Sequence, residues 1–449
     1  PETSDAFVAP RTAEEELLAR LWAEVLGVER VSMHDNFFER GGHSLLATQV
    51  ISRIRSLFKI ELPLRAMFDT ATLAELAQLI VAERQAAVSP APAIERPSQE
   101  TPPALSYAQQ RLWFLDQFEP DSPFYNVPTA LYLKGELDSI ALAQSLSETA
   151  RRHEVLRTSF PSVDGQPVQH IAPAAPVKLP LVDLQALREE NRDGVARELA
   201  AEEAARPFDL AHGPVWRATL LRLDKQEHAL LLTLHHIATD GWSVGVLIRE
   251  LTTLYQAYRQ SEASPLSELS IQYADFAMWQ REWLQGAVLE EQMSYWRKRL
   301  TSAPTLELPT DRPRPARQSF HGSRLTFEIN EELTKKLRDL SRREGVTLFM
   351  MLLSSWQTLL ARYSGQWDLS VGTPIANRTR GEAEDLIGFF VNTLVLRTRM
   401  NAEMSFREQL QQVREVCLGA YAHQDVPFEM LVEELQPDRD TSRSPLVQV

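Results

Sequence analysis

A proline-rich stretch between Arg84 and Pro103 divides the chain into a short N-terminal part and a long C-terminal part. Its prolines stand at positions 90, 92, 97, 102 and 103, among Ala, Ser, Gln and Glu. Proline removes a backbone hydrogen-bond donor and favours extended conformations, so the stretch cannot hold a helix and is typical of a semi-rigid spacer. We therefore predict a small domain over residues 10–84, a linker over 85–102 and a large domain that starts at residue 103.

The small domain has the pattern of a compact all-helical bundle. A capping box is predicted at 12–15, and the apolar helix face that follows should end at Gly27. A second helix is predicted to begin near Ser44, and a last one opens with another capping box at 72–75. Between the first two lies a long loop, residues 28–43, which we expect to pack through its two phenylalanines.

The large domain alternates strand-like and helix-like segments, which is typical of a layered α/β fold. Strands are predicted at 129–133, at 228–236 and in DLSVGTP (368–374), helices at 140–152, 243–259 and 347–363, and a hairpin turn at Asp164-Gly165.

Composition excludes several classes of protein. The formal net charge of -14 argues against a nonspecific nucleic-acid-binding surface, which needs a basic excess. The longest apolar run is only as long as a strand, so no membrane span is predicted. The single cysteine, Cys417, allows no internal disulfide and no thiolate metal site, and we interpret it as a buried structural thiol. These features favour a cytoplasmic protein.

The string DNFFERGGHSLLATQ places Ser44 after two glycines and a histidine, where a helix begins. One interpretation is that Ser44 is the helix N-cap, whose hydroxyl accepts a hydrogen bond from the next turn. The other is that the hydroxyl is exposed and carries a phosphodiester, because a helix N-terminus offers free N–H groups and positive partial charge to an attached anion.

Residues 10–84 resemble a peptidyl-carrier domain of the non-ribosomal peptide synthetases throughout. The family's motif Asp-x-Phe-Phe-x-x-Gly-Gly-His/Asp-Ser is present at Asp35 to Ser44. The resemblance implies a four-helix bundle in which Ser44 bears a 4'-phosphopantetheine arm. The thiol of that arm would hold an amino acid or peptide as a thioester.

The string HALLLTLHHIATDGWS carries the second candidate site. An apolar strand delivers His235 and His236, and a tight turn through Asp240 and Gly241 leads into a helix. Adjacent strand residues face opposite ways, so one histidine can point toward a cavity while the other points into packing. A histidine pair alone is more often structural or part of a metal site, and Asp240 alone would be a turn or helix cap. No further ligand group at useful spacing supports a metal.

The pattern His-His-x-x-x-Asp-Gly resembles the signature of peptide-synthetase condensation domains and their chloramphenicol-acetyltransferase-like relatives. Other stretches match that family in order over residues 104–449: SYAQQRLW (106–113), RHEVLRTSF (152–160), YADFAMWQ (273–280), GFFVNT (388–393), HQDVPFE (423–429) and RDTSRSPL (439–446). The resemblance implies two lobes in a V, at 103–280 and 281–449, with a tunnel between them open at both faces. The second lobe is expected to be incomplete, because the family's domain continues beyond the motif near Val449.

The resemblance also assigns roles within the predicted site, to which both histidines belong. His236 would face the reaction channel, where a neutral imidazole accepts a proton from an attacking amine or holds the amine in position. Asp240 would form a structural ion pair with Arg378 of the second lobe, and Gly241 would offer an N–H to the oxyanion. Asn392 would line the channel. Two alternatives stay open: Arg378 as a surface arginine in a loop, and Asn392 as a strand-end side chain bonded to backbone.

The implied function is peptide-bond formation between an upstream thioester and the amine of a downstream aminoacyl thioester. No ATP, metal or nicotinamide is required at this step, and the sequence has no phosphate-binding glycine loop. The implied partners are an upstream adenylation domain, downstream adenylation and carrier domains and a phosphopantetheinyl transferase, with no nucleic acid or membrane. In the family that the chain resembles, a carrier directly ahead of a condensation domain is its donor. The absence of an intervening epimerisation domain favours an L-configured donor residue.

Three alternatives remain. The same fold also forms esters or closes heterocycles, although cyclisation domains replace the histidine pair with an aspartate-based motif. The large domain could instead be a non-catalytic platform that recruits tailoring enzymes, or a binding scaffold in which Ser44 is a cap and the histidines are core residues.

Overall fold

The computed structural model describes residues 7–70, 72–86, 92–96, 102–316, 322–436 and 442–449. Within them the helices are α1 Ala13–Leu26, α2 Ser44–Phe58, α3 Ala66–Asp69, α4 Leu73–Ala86, α5 Tyr107–Phe118, α6 Ser139–Arg152, α7 Glu189–Ala205, α8 Gly241–Arg259, α9 Tyr273–Trp283, α10 Gly286–Leu300, α11 Glu331–Arg343, α12 Leu348–Ser364, α13 Phe406–Ala422 and α14 Phe428–Leu435. The strands are β1 Asn126–Lys134, β2 Thr158–Ser159, β3 Ser162–Val163, β4 Gln166–Pro167, β5 His170–Ile171, β6 Leu181–Asp183, β7 Trp216–Asp224, β8 Glu227–His235, β9 Asp368–Ile375 and β10 Asn392–Arg399.

The chain divides into two compact units. The first unit contains Pro1–Pro92, Gln285–Gly381 and Asn392–Val449, and the second unit contains Ala93–Leu284 and Glu382–Val391. The short segment 382–391 therefore belongs to a different unit from the residues on either side of it.

The N-terminal helices of the first unit begin and end as the sequence predicts. The capping box at Thr12 and Glu15 is present, and α1 ends at Gly27 in the left-handed conformation. The ring of Phe37 is buried and meets Trp22 edge-on, with 5.0 Å between ring centroids. Because burying one such ring contributes about 2 kcal/mol, this contact fixes the long loop 28–43 against α1.

The remainder of the first unit is built around the antiparallel pair β9–β10, which packs with α12 and α13. Cys417 on α13 is buried, and burial raises the pKa of its thiol to about 12. This agrees with its interpretation as a structural thiol. The apolar core of this region is continuous with that of α1–α4.

The second unit is built on a four-stranded sheet of order β1-β8-β7-β6. Strand β8 pairs antiparallel with β1 and β7, so it is an interior strand. Its alternate leucines enter two cores: Leu230, Leu232 and Leu234 pack with residues of α6 and α8, and Leu231 packs with α7. Helices on both faces explain why β8 is an almost continuous apolar run rather than an alternating one.

The predicted linker at 85–102 differs in part from the structure. Helix α4 continues through Ala86, and Ile94 is buried in the core of the second unit. Residues 87–91 and 97–101 lie outside the described residues, as do 437–441, which include the start of the RDTSRSPL motif. Among the residues that are described, no helix is long and apolar enough to cross a membrane.

Candidate active site

The candidate site lies at the C-terminal end of β8. A single 3-10 turn, His236–Ala238, joins this strand to Asp240, the N-cap of α8. Every residue from Leu230 to Asp240 is buried except His236, which is half-buried. The fold therefore presents one side chain from this stretch to solvent or substrate.

His236 is fixed in one tautomer by its own turn. Its Nδ1 lies 2.8 Å from the carbonyl oxygen of Thr239. A carbonyl only accepts, so Nδ1 must carry the proton and donate it. The neutral ring then has its lone pair on Nε2. The ring of Phe389 packs edge-on against the imidazole at 4.8 Å and limits its rotation. The imidazole is thus oriented with one nitrogen free to accept a proton.

His235 faces the opposite way, into packing, as strand alternation predicts. Its Nδ1 accepts the backbone N–H of Ile237 at 3.1 Å, and its ring lies 6.0 Å from that of Phe208. Burial, followed by the neighbouring charge of His236, lowers the pKa of His235 to about 3. His235 is therefore neutral throughout the physiological range, and it supports the turn rather than exchanging protons.

Asp240 caps α8 and also holds the segment that packs on His236. Its Oδ1 accepts the backbone N–H of Ser243 at 2.8 Å, and its Oδ2 accepts that of Phe390 at 3.0 Å. Arg378, its predicted partner, lies after β9 in the first unit and is only 2% exposed. The surface interpretation of Arg378 is therefore wrong, while its pairing with Asp240 stays a prediction.

Segment 382–391 makes hydrogen bonds to the rest of the second unit. Ser243 Oγ donates to the carbonyl of Gly388 and lies 3.0 Å from its N–H, and the hydroxyl of Tyr273 donates to the carbonyl of Phe389. A Cβ at Gly388 would lie 1.9 Å from the Tyr273 ring, so only glycine fits there. These contacts set the position of Phe389 against His236.

A buried charge network supports the same segment. His153 accepts the N–H of Ile387 at its Nδ1, so its Nε2 carries the proton that it donates to Glu250, 3.0 Å away. Arg152 binds both oxygens of Glu250, at 3.0 and 3.1 Å. Burial alone would raise the pKa of Glu250, but hydrogen bonds from His153 and Arg152 outweigh it and lower the pKa to about 2.

We expect Glu250→Gln to destabilise the second unit by about 3 kcal/mol at neutral pH, because it leaves the buried charge of Arg152 unpaired. The folded-state pKa of Glu250, about 2, lies below that of an unfolded glutamate. The stabilisation is therefore full above the unfolded value and is lost as the pH falls toward 2. Urea unfolding of both proteins between pH 7 and pH 3 should give curves whose separation shrinks on acidification.

The matched control is Glu268→Gln, which removes the exposed partner of Arg151. Exposed pairs contribute at most about 1 kcal/mol, so this variant should unfold close to the wild type. Equal stability of Glu250→Gln and Glu268→Gln would contradict a structural role for the buried network.

Asn392, predicted to line the channel, has its whole amide engaged with backbone. Its Nδ2 donates to the carbonyls of Gln424 and Val426 at 2.8 Å, and its Oδ1 accepts the N–H groups of Phe428 and Thr393. Two donors and two acceptor positions are the full capacity of a primary amide, so none is left for a substrate. The second interpretation, a strand-end side chain bonded to backbone, fits. Gly241 is the exposed first residue of α8.

Ser44 is the first residue of α2 and not its N-cap. That position is taken by His43, whose Nδ1 accepts the N–H of Leu46 at 3.5 Å. The Ser44 hydroxyl oxygen is buried beside Tyr421 and has no hydrogen bond of good geometry among the described residues. Gly42 lies against Phe37, where a Cβ would come within 2.4 Å of the ring. The loop thus places at the start of a helix a serine whose hydroxyl is not used as the helix cap.

These residues fit the phosphopantetheine arm that the resemblance implies. The hydroxyl is not consumed by a cap, and the first turn of α2 provides the N–H groups and positive partial charge that favour a phosphodiester. When bound, the arm supplies a terminal thiol for a thioester. Attachment requires the buried oxygen to be uncovered first.

Two family models match the chain. The model described as "Condensation domain" matches residues 99–449, and the one described as "Phosphopantetheine attachment site" matches residues 16–80. One linear gramicidin synthase protein of Brevibacillus parabrevis is 53% identical over all of this chain, which spans 9% of that relative. The dimodular nonribosomal peptide synthase of Bacillus subtilis (strain 168) is 44% identical over all of this chain, which spans 19% of it.

Solved structures share the fold over most of this chain. The X-domain from teicoplanin biosynthesis is similar with a TM-score of 0.73 and 32% identity, over 80% of this chain and 79% of that one. The same domain has also been solved in complex with OxyB, with a TM-score of 0.72. The mixed α/β fold described above is therefore that of these domains.

Proposed function

Because the chain belongs to the condensation-domain family of the non-ribosomal peptide synthetases, with a phosphopantetheine-attachment domain ahead of it, we propose that it forms peptide bonds. An aminoacyl or peptidyl group held as a thioester on Ser44 is the donor. The amine of a downstream aminoacyl thioester attacks it, and the lengthened chain leaves on the downstream carrier. The observation that supports this most is the single tautomer of His236, which leaves Nε2 as a proton acceptor.

The proposed reaction needs one proton transfer, which His236 can carry out. The amine nitrogen forms a bond to the thioester carbonyl carbon, and the carbonyl electrons move onto oxygen. His236 Nε2 holds the amine or accepts its proton, and the proton passes to the departing thiolate as the C–S bond breaks. Gly241 offers an N–H at the positive end of α8 to the transient oxyanion. Asp240 and Arg378 form a structural ion pair in this proposal.

The domain organisation that accompanies this function is also a proposal. It comprises a four-helix carrier over residues 10–84, a linker over 85–102, and two chloramphenicol-acetyltransferase-like lobes at 103–280 and 281–449. The boundary of the compact units between Leu284 and Gln285 supports the division between the lobes. Segment 382–391 lies within the sequence of the second lobe but belongs to the same compact unit as the first lobe.

The proposed partners follow from the chemistry of a carrier. An upstream adenylation domain would load the arm on Ser44 after a phosphopantetheinyl transferase has attached it. Downstream adenylation and carrier domains would supply the acceptor, and the donor residue would be L-configured. The chain spans less than a fifth of the length of the curated relatives described above, which leaves room for such domains in those proteins.

We expect an amine acceptor to be required. The chain would be loaded with L-alanyl-phosphopantetheine from L-alanyl-coenzyme A, and a separate carrier domain would be loaded with glycyl, glycolyl or N-acetylglycyl thioester. Intact-protein mass spectrometry should detect alanyl transfer to the glycyl carrier only. N-acetylglycyl has no basic amine and is the matched negative control. Transfer to the glycolyl carrier at an equal rate would favour ester formation instead.

A recruiting platform is the second candidate function, because the X-domain that shares this fold has been solved in complex with OxyB. A platform needs its surface but not His236. The two functions therefore differ in whether the wild type transfers a peptide and in whether that transfer depends on this histidine.

A further inference from the structure

Helix α3 meets α13 through two ion pairs of opposite polarity. Arg65 Nη1 lies 3.0 Å from Glu415 Oε2, and Asp69 Oδ1 lies 3.1 Å from Arg414 Nη2. Each side therefore contributes one cation and one anion, and Arg65 is the N-cap residue of α3. Arg65 also binds Asp69 within α3, at 3.0 Å, so the four charges form one connected network. We call these four residues the charge latch.

A second set of contacts lies at the far end of α2. Arg55 Nη1 donates to the carbonyl oxygen of Thr379. Ser52 and Ser56 lie against Gly381, where a Cβ would be 3.3 Å from the Ser56 hydroxyl. Helices α2 and α3 are thus held on the later part of the first unit at two places.

The contact covers Ser44. Its hydroxyl oxygen is buried beside the hydroxyl of Tyr421, a residue of α13 about two turns beyond Glu415. Burial is also what most strongly raises the pKa of Tyr421. An enzyme that attaches a group to Ser44 needs the oxygen exposed, so it cannot act on this arrangement.

We propose that the charge latch closes the N-terminal helices over Ser44, and that modification of Ser44 requires the latch to open. This rests on the proposed function, in which Ser44 carries the phosphopantetheine. Arg65, Asp69 and Glu415 are each about half exposed, and such pairs are individually weak. The latch therefore stabilises the closed form only weakly, so that it can still open. The rate of phosphopantetheine attachment is then proportional to the fraction of molecules in which the latch is open.

The first variant changes a residue of α13, so that the surface of the N-terminal helices offered to the transferase is untouched. In Glu415→Arg, the new cation faces Arg65 and destabilises the closed form. Breaking one pair and adding repulsion should raise the rate of phosphopantetheine attachment from coenzyme A about threefold to tenfold. Intact-protein mass against time, at low ionic strength and limiting transferase, gives the rate. Glu403→Arg, the same charge change at an exposed residue before α13, should load like the wild type.

The double variant Arg65→Glu/Glu415→Arg restores an attractive pair and should return the rate toward that of the wild type. Equal, measurable rates for wild type, Glu403→Arg and Glu415→Arg would overturn the latch while leaving the carrier role of Ser44 intact. No mass gain in any protein would overturn both.

Discussion

We expect His236→Ala to lower the rate of peptide transfer about 10²–10⁴-fold, the usual contribution of a positioned general base. The replacement removes Nε2, the nitrogen left free by the hydrogen bond from Nδ1 to Thr239. Loading of the carrier should be unchanged, because Ser44 belongs to the other compact unit. The measurement is the rate at which dipeptide forms on a downstream aminoacyl-loaded carrier after that carrier is mixed with fully loaded protein.

Two further variants test whether the loss of transfer is due to the basic nitrogen of His236. His236→Asn retains an N–H group placed to donate to Thr239 but has no basic nitrogen, so it should be as inactive as His236→Ala. His212→Ala makes the same replacement at a histidine that is exposed and binds Asp209, and it should transfer like the wild type. Unchanged transfer by His236→Ala would contradict a role for His236 in the reaction, whereas no transfer by the fully loaded wild type would favour the recruiting platform.

Ser44→Ala should abolish attachment of phosphopantetheine, and with it every later step. Ser44 is the hydroxyl residue in the first turn of α2, where the arm needs its acceptor. Incubation with coenzyme A and a broad phosphopantetheinyl transferase should increase the mass of the wild type by one arm and leave Ser44→Ala unmodified.

Thr48→Ala is the matched control for this loss. It removes a hydroxyl one turn along α2 that donates to the carbonyl of Ser44 within its own helix. This variant should gain one arm, as the wild type does. A mass gain in Ser44→Ala would show that another residue is the attachment site.

Local patterns in the sequence predict the elements that carry the site. The run of apolar residues predicts β8 within one residue at each end, and the capping box and Gly27 predict both ends of α1. The Asp164-Gly165 turn joins β3 and β4, and both residues have positive φ. In each case neighbouring residues alone determine the conformation, through burial, capping or turn geometry.

Sequence patterns are insufficient where contacts with distant residues determine the role of a side chain. No local pattern predicts Glu250 as a site-supporting residue, because its partners Arg152 and His153 lie 98 and 97 residues away in the sequence. The role of Asn392 depends on the backbone of 424–428, which nothing nearby in the sequence connects to it. At α2 the preference of serine for N-caps is misleading, because His43 adopts the extended cap conformation one residue earlier.

The most direct test of the central claim is a single-turnover measurement on the intact chain. The protein carries a ¹³C-labelled L-alanyl thioester on the arm at Ser44, and it is mixed with a glycyl-loaded carrier domain in excess. We predict that the label leaves this chain and appears on the other carrier as alanyl-glycyl thioester, and that His236→Ala keeps its label. Label that stays on the wild type, or that reaches the carrier equally fast with His236→Ala, would contradict peptide-bond formation at His236.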